Sequence, residues 1–166
     1  MSEAPDGGHD SRSEEDQRAE PSPPAPDGDA YSWYRRGLDL LGRGSAAAAA
    51  QLLQRAAEAE PGSRSVLEAL GRAQFDAGRY AAAADSFRQI VEASPSDDYA
   101  HFGLGLALAR DGNPAAAAEH LALAAAMRPD LPHYTDALRG VRATLRARAA
   151  ATEPPAPPPP GGDAPG

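Results

Sequence analysis

Between residues 30 and 148, apolar positions recur every three or four residues, the period of a helix rather than of a strand. From about residue 64 to 77, Val66, Leu67, Leu70 and Phe75 form one apolar stripe that predicts a helix. Gly78 is expected to end it, because glycine supplies the left-handed conformation common just past a helix C-terminus. A second helix is expected over residues 80–93, with Ala83, Ala84, Phe87, Ile90 and Val91 turned inward. Pro95 stops it, since proline disfavours helical backbone in the residue before it and has no amide to donate. The next stretch is built alike. Ser96 is expected to cap a helix starting near Asp97, Gly112 to end it, and Pro114 to sit in the first turn of the following helix.

These helix pairs repeat at a fixed spacing of 34 residues. Gly37, Gly71 and Gly105 share one frame; so do Gly44, Gly78 and Gly112, and Pro61, Pro95 and Pro129. Leu53, Phe87 and Leu121 occupy another column, and Ala49, Ala83 and Ala117 a further one. The glycine and alanine columns have a packing reason: small side chains let two helix backbones approach at the short end of the ~8–10 Å interhelix range. Phe87 and its counterparts would fill the space beside them, so a bulky residue at Gly71 or Ala83 is expected to overpack the pair by about 1–3 kcal/mol.

The pattern resembles the tetratricopeptide repeat family. Leu70, Gly71, Gly78, Tyr80, Ala83, Phe87 and Pro95 carry the resemblance in the second unit, and Leu104, Gly105, Gly112, Ala117, Leu121, Ala124 and Pro129 in the third. Trp33, Gly37, Ala49, Leu53, Ala56 and Pro61 carry it in the first. Arg36 departs from the leucine of the other units, and Gln74 and Leu108 stand where the family often has tyrosine. The resemblance implies an all-α, right-handed solenoid of three helix-turn-helix repeats over residues 30–63, 64–97 and 98–131, with a capping helix at 132–148. Three such units with a cap are near the minimum for a stable stack.

For function, the resemblance implies non-catalytic binding of a protein or peptide in a concave groove lined by the first helix of each pair. Carried over position by position, the groove residues are Tyr31, Tyr34 and Leu38, then Ser65, Glu68 and Arg72, then Tyr99, Phe102 and Leu106, with His133 and Asp136 from the last helix. Tyrosine suits such a role, as it buries a large surface with few rotatable bonds and keeps a polar tip. Two other readings stand beside this one: Tyr31 and Tyr34 cap the open end of the stack with Phe102 in the core, and Glu68 pairs only with Arg72, four residues on. Family members that clamp a chaperone's C-terminal carboxylate use Lys, Asn and Arg. The corresponding positions here are Tyr34, Leu38, Ala69, Tyr99 and Gly103, which argues against that subclass. Self-association through the groove or an end face is the alternative function.

Composition sharpens the division of the chain. The net charge of -8 divides into -7 over residues 1–29, +1 over 30–148 and -2 over 149–166. The first segment has no large apolar residue after Met1, and the last is dominated by proline. Both are expected to be disordered tails, the second extended and polyproline-like. Neither a basic start nor an apolar run of a secretory signal is present, and no apolar run reaches the ~18 residues of a membrane span. A soluble cytoplasmic protein is therefore expected, and the excess of Ala, Arg, Pro and Gly without any Lys fits a GC-rich, bacterial genome.

The acidic balance argues against general nucleic-acid binding. Arg139, Arg142, Arg146 and Arg148 are one local exception, open to reading as an acidic-partner contact, as complements of a helix C-terminus, or as a dock for the acidic tail. No cysteine is present, so thiolate chemistry and disulfides are excluded, and without lysine so is Schiff-base chemistry. His9, His101, His120 and His133 lack metal-ligand spacing, with His101 expected as a partly buried packing residue. No enzyme, cofactor, metal or small-molecule substrate is expected.

Overall fold

The structure, a computed structural model, describes residues 28–152. Nearly all of residues 1–29 and most of 149–166, the expected tails, lie outside the described residues. Seven helices make up the described residues: α1 (Ala30–Gly42), α2 (Ala46–Ala59), α3 (Arg64–Asp76), α4 (Tyr80–Ala93), α5 (Asp98–Arg110), α6 (Pro114–Met127) and α7 (Pro132–Thr152). Consecutive helices pack as antiparallel neighbours along the whole array.

The turns follow the repeated glycines. At the end of α3, Gly78 has φ +74°, its N–H donates to the Phe75 carbonyl, and the Arg79 N–H donates to the Gln74 carbonyl. This is the Schellman closure that satisfies the last carbonyls of a helix. Gly44 and Gly112 repeat it, with the N–H groups of Ser45 and Asn113 reaching Leu40 and Leu108. At the helix starts, the side chains of Asp29, Asp97 and Asn113 accept from the N–H groups of Ser32, Ala100 and Ala116. The cap of α5 is thus Asp97 and not Ser96: a carboxylate satisfies the orphan amide and also complements the positive helix end. Pro114 does open α6.

The glycine columns act by direct contact. A Cβ at Gly37 would lie 2.6 Å from Leu53, one at Gly71 2.8 Å from Phe87, and one at Gly105 2.6 Å from Leu121. Phe87 is hemmed in from a second side, because a Cβ at Gly103 would lie 2.6 Å from the same ring. The Phe87 ring therefore occupies a slot between α3 and α5 that two glycines keep open.

Around these slots two apolar clusters form, one of Ala49, Ala50, Leu53, Ala69, Leu70 and Ala73, and a larger one centred on Phe87, Leu104, Leu121 and Leu138. Gln74, which replaces the family's frequent tyrosine, is buried, and its Oε1 accepts from the Ser86 hydroxyl at 2.6 Å, so its polar end is satisfied. α7 runs to Thr152, four residues past the expected end at 148. Ala149, Ala150 and Ala151 favour continuation, and the helix stops short of Pro154.

Candidate functional site: an aromatic inner face

α1 touches α3, α3 touches α5 and α5 touches α7, whereas among the described residues no two of α2, α4 and α6 are in contact. A stack that gathers one layer and spreads the other is curved, with α1, α3, α5 and α7 on the inside. Two neighbouring recesses open on that inner layer. One, of about 240 Å³, lies between α1 and α3 and is lined by Tyr34, Leu38, Arg64, Ser65, Glu68 and Arg72 among others. The second, of about 210 Å³, lies between α3 and α5 and is lined by Arg72, Phe75, Asp76, Tyr99, Phe102 and Leu106 together with the edge of Phe87. Arg72 belongs to both. Each is smaller than the ~300 Å³ at which small-molecule pockets begin. A larger recess of about 640 Å³ lies away from this face, between α2 and the α3–α4 turn, lined by Gln51, Gln54, Arg55 and Arg79 without any ring.

Eight of the groove residues read from the sequence therefore line these recesses: Tyr34, Leu38, Ser65, Glu68, Arg72, Tyr99, Phe102 and Leu106. Tyr31 does not. It is 64% exposed at the start of α1 and lines neither recess. His133 is exposed on α7, its ring 5.3 Å from Phe102. Asp136 is engaged with Arg139 at 2.6 Å. Phe102 combines both readings made for it, since one side lines the recess while its ring stacks on buried Tyr134 at 4.4 Å.

The charges differ from the expected pairing. Glu68 binds Arg64 at 2.7 Å rather than Arg72, and Arg64 also reaches Asp97 at 2.6 Å. Arg64 bridges the two because Asp97, fixed as the cap of α5, offers a second carboxylate. Burial raises the Asp97 carboxyl, but the hydrogen bonds from Arg64 and the Ala100 N–H outweigh it and hold the group below its ordinary value. Arg72 is left without a hydrogen bond or ion pair among the described residues, exposed between the two recesses. On the other side of the apolar recess, Arg110 lies 5.7 Å from the Phe75 ring and 5.9 Å from Tyr80, within cation–π range. Burial raises the Tyr99 hydroxyl, so it remains a neutral phenol in the groove.

Three residues gained roles that the sequence reading had not given them. Phe75 lines the apolar recess and is only half-buried, although its spacing placed it in the core stripe. Tyr134 is 2% exposed and its hydroxyl donates to Asp98 at 2.8 Å; burial and then this bond push its pKa up. The 34-residue column of Val66, Ala100 and Tyr134, buried in all three, was the available signal. His101 is 4% exposed, not partly buried, and its Nδ1 lies 3.0 Å from Nδ1 of His120. A spacing of 19 residues carries no ligand pattern, and only the α5–α6 hairpin brings the two rings together. Among the described residues no group of three or more potential ligands forms, and no helix is long and apolar enough to cross a membrane.

Stacked helical hairpins with one layer gathered and the other spread define a helical-repeat solenoid. The chain belongs to the tetratricopeptide repeat family, whose profile matches residues 34–98 and again 69–132. Comparison with curated protein sequences gives no match. Among solved structures, the Sgt2 tetratricopeptide domain from Aspergillus fumigatus superposes with TM-score 0.69 at 20% identity, over 86% of this chain and 93% of that one. The first such domain of Spaghetti (RPAP3), bound to an HSP90 peptide, gives 0.66 at 18% identity, over 71% and 94%. MamA from Desulfovibrio magneticus RS-1 gives 0.68 at 21% identity, over 74% and 70%. At these identities the likeness is one of fold. Proteins of this family generally mediate protein–protein interactions, and the fold is typically a non-enzymatic scaffold.

Proposed function

We propose that this chain is a non-catalytic adaptor that holds an apolar segment of a partner protein along the inner face of α1, α3 and α5. The observation that carries this reading is the pair of adjoining recesses with an unpaired Arg72 between them. Tyr34 and Leu38 anchor one end and Tyr99, Phe102 and Leu106 the other. Arg72 then selects segments bearing a carboxylate between their apolar side chains, since a charged hydrogen bond there is stronger than a neutral one. The clamp positions remain Tyr34, Leu38, Ala69, Tyr99 and Gly103, which supply no cation for a terminal carboxylate, so the partner of RPAP3 is not the partner proposed here.

The test is partner capture from cells of the source organism by the wild-type chain and by a Tyr34→Ala, Arg72→Ala, Leu106→Ala variant. These positions spare Phe102, whose loss would also disturb Tyr134. Capture should be lost while helical circular dichroism is retained; capture that survives removes the groove reading. Self-association through an end face is the weaker reading, because Arg36 at one end and Arg139 with Arg142 at the other stand exposed where stacking would need apolar contact.

A further inference from the structure

The recess between α2 and the α3–α4 turn, away from the groove, has a donor set of its own. Its volume of about 640 Å³ falls within the ~300–1,000 Å³ of small-molecule sites, and no carboxylate is among its lining residues. Arg55 and Arg79 both line it, and among the described residues neither joins an ion pair or a side-chain hydrogen bond. The acids of the surrounding turns are engaged elsewhere. Asp39 pairs with Arg43 at 3.0 Å, Asp76 lines the groove, and Glu58 and Asp85 line an adjoining recess, held by Gln54 and Arg88.

Arg79 stands where the helix asks for the opposite chemistry. It is the N-cap of α4, and its counterpart one period on, Asn113, caps α6 by accepting from the Ala116 N–H. Arginine has no acceptor to offer, so the first turn of α4 is without a side-chain cap and its positive end adds to the guanidinium.

Gln74 lines the same recess and is only 8% exposed. The Ser86 hydroxyl meets its Oε1, whereas its Nε2 donates to no group of the protein. No side-chain nitrogen or oxygen sealed from solvent lacks a partner among the described residues, so Nε2 reaches water. Ser86 lines the adjoining recess and not this one, so Oε1 is turned to that side and Nε2 is left for this one. Repeat packing does not require these donors. One period away in either direction Gln74 is replaced by Leu40 and Leu108, Arg79 by Ser45 and Asn113, and the counterparts of Arg55 are Gln89 and Leu123.

Two guanidinium groups and a buried amide around a space without acids are complementary to a dianion. A carboxylate has one charge and two oxygens, which a single guanidinium fork occupies. A phosphomonoester brings about −1.5 to −2 charges at pH 7 and three acceptor oxygens, enough for both forks and the amide. Leu40, Leu52 and Ala48 on the remaining wall suit an apolar ester group.

The structure assigns this recess as a binding site for a small organic phosphate, the phosphoryl group on Arg55, Arg79 and Gln74 and the apolar part against Leu40 and Leu52. It stands apart from the groove, so neither reading depends on the other.

Calorimetric titration of the full chain with phenyl phosphate tests it. Saturable binding is expected, weakened about tenfold or more by Arg55→Gln and by Arg79→Ser, since each removes a charged hydrogen bond. Gln74→Leu, which restores the residue of the other hairpins, should weaken it less. Both arginines are exposed, so helical circular dichroism should be unchanged in their variants. Arg43→Gln and the Tyr34, Arg72, Leu106 groove variant should bind as the wild type does. No binding at millimolar phenyl phosphate overturns the proposal, as does binding indifferent to both arginine substitutions or weakened equally by Arg43→Gln. Benzoate, a monoanion on the same ring, should bind far more weakly, and equal affinity refutes the phosphate assignment. A phosphoserine peptide held more tightly than phenyl phosphate by the same two arginines would overturn the small-molecule source and give the recess to a phosphorylated partner.

Discussion

The smallest residues of this chain fix its closest contacts. Phe87 fills a slot that would be obstructed from α3 by a Cβ at Gly71 and from α5 by a Cβ at Gly103, at 2.8 and 2.6 Å. The ring cannot retreat from one without meeting the other. Gly103→Ala is therefore expected to destabilise the fold by about 1–2 kcal/mol, an overpacking cost of ~1–3 offset by the ~1 that alanine gains over glycine inside a helix. Gly140 is the control: it too lies within a helix, but a Cβ there meets nothing within 4 Å. Gly140→Ala should stabilise by about 0.5–1 kcal/mol. Urea denaturation of both variants checks the pair, and equal shifts of the midpoint would refute the slot. Gly71 was legible from the sequence because it recurs at 37 and 105. Gly103 was not, because its need for space comes from a ring on the neighbouring helix, and the equivalent positions hold Arg35, Ala69 and Ala137. Periodicity reveals what every unit shares and is blind to a fit made once.

At the scale of elements, the periodic glycines and prolines placed the helices, while the pairings across them were out of reach. The hairpin of α5 and α6 shows why. His101 Nε2 lies 2.8 Å from the Pro95 carbonyl and so carries a proton that it donates there. Its Nδ1 must then accept, and His120 Nδ1 at 3.0 Å is the donor. The open side of His120 is left to take a further proton. Burial lowers the His120 pKa first, with His101 and Arg88 adding to it and Glu119 opposing. The folded chain thus binds fewer protons than the unfolded one once the pH drops below the ordinary imidazole value of about 6.5. The pair's stabilising contribution is full above that pH, falls as the pH is lowered through it, and levels off below the depressed folded-state value. Asp29, Asp97 and Asp130, all held below their ordinary value of 3.8, add their own loss only at lower pH. Between pH 7.5 and 5 the urea midpoint should decline in the wild type and much less in His120→Gln. Equal declines in both would show that the pair is not the source.

The whole molecule poses the question of why a periodic stack ends where it does. Leu70, Leu104 and Leu138 each pack against the hairpin before them, as Leu70 does on Ala49 and Leu53. One period earlier the same column holds Arg36, exposed, with no earlier helix among the described residues to cover it. At the other end, the column of Gly37, Gly71 and Gly105, which receives the second helix of each pair, continues as Arg139. The column of Leu40, Gln74 and Leu108 continues as Arg142. Arginine thus stands at the positions where a further unit would need leucine or glycine, and any copy approaching end to end would have to strip water from these guanidinium groups, of which only Arg139 already holds a carboxylate, that of Asp136. The near-neutral balance of residues 30–148 conceals this arrangement, because the terminal helices α1 and α7 carry six arginines against only Asp39 and Asp136. Replacing the three together, as Arg36→Leu, Arg139→Gly and Arg142→Leu, should leave the helix content unchanged but expose an apolar face at each end. Light scattering across a concentration series is then expected to show a mass that climbs with concentration well above that of the wild type. A mass that tracks the wild type throughout would mean that the end charges are not what bounds the array, and that the length of the stack is set within its core.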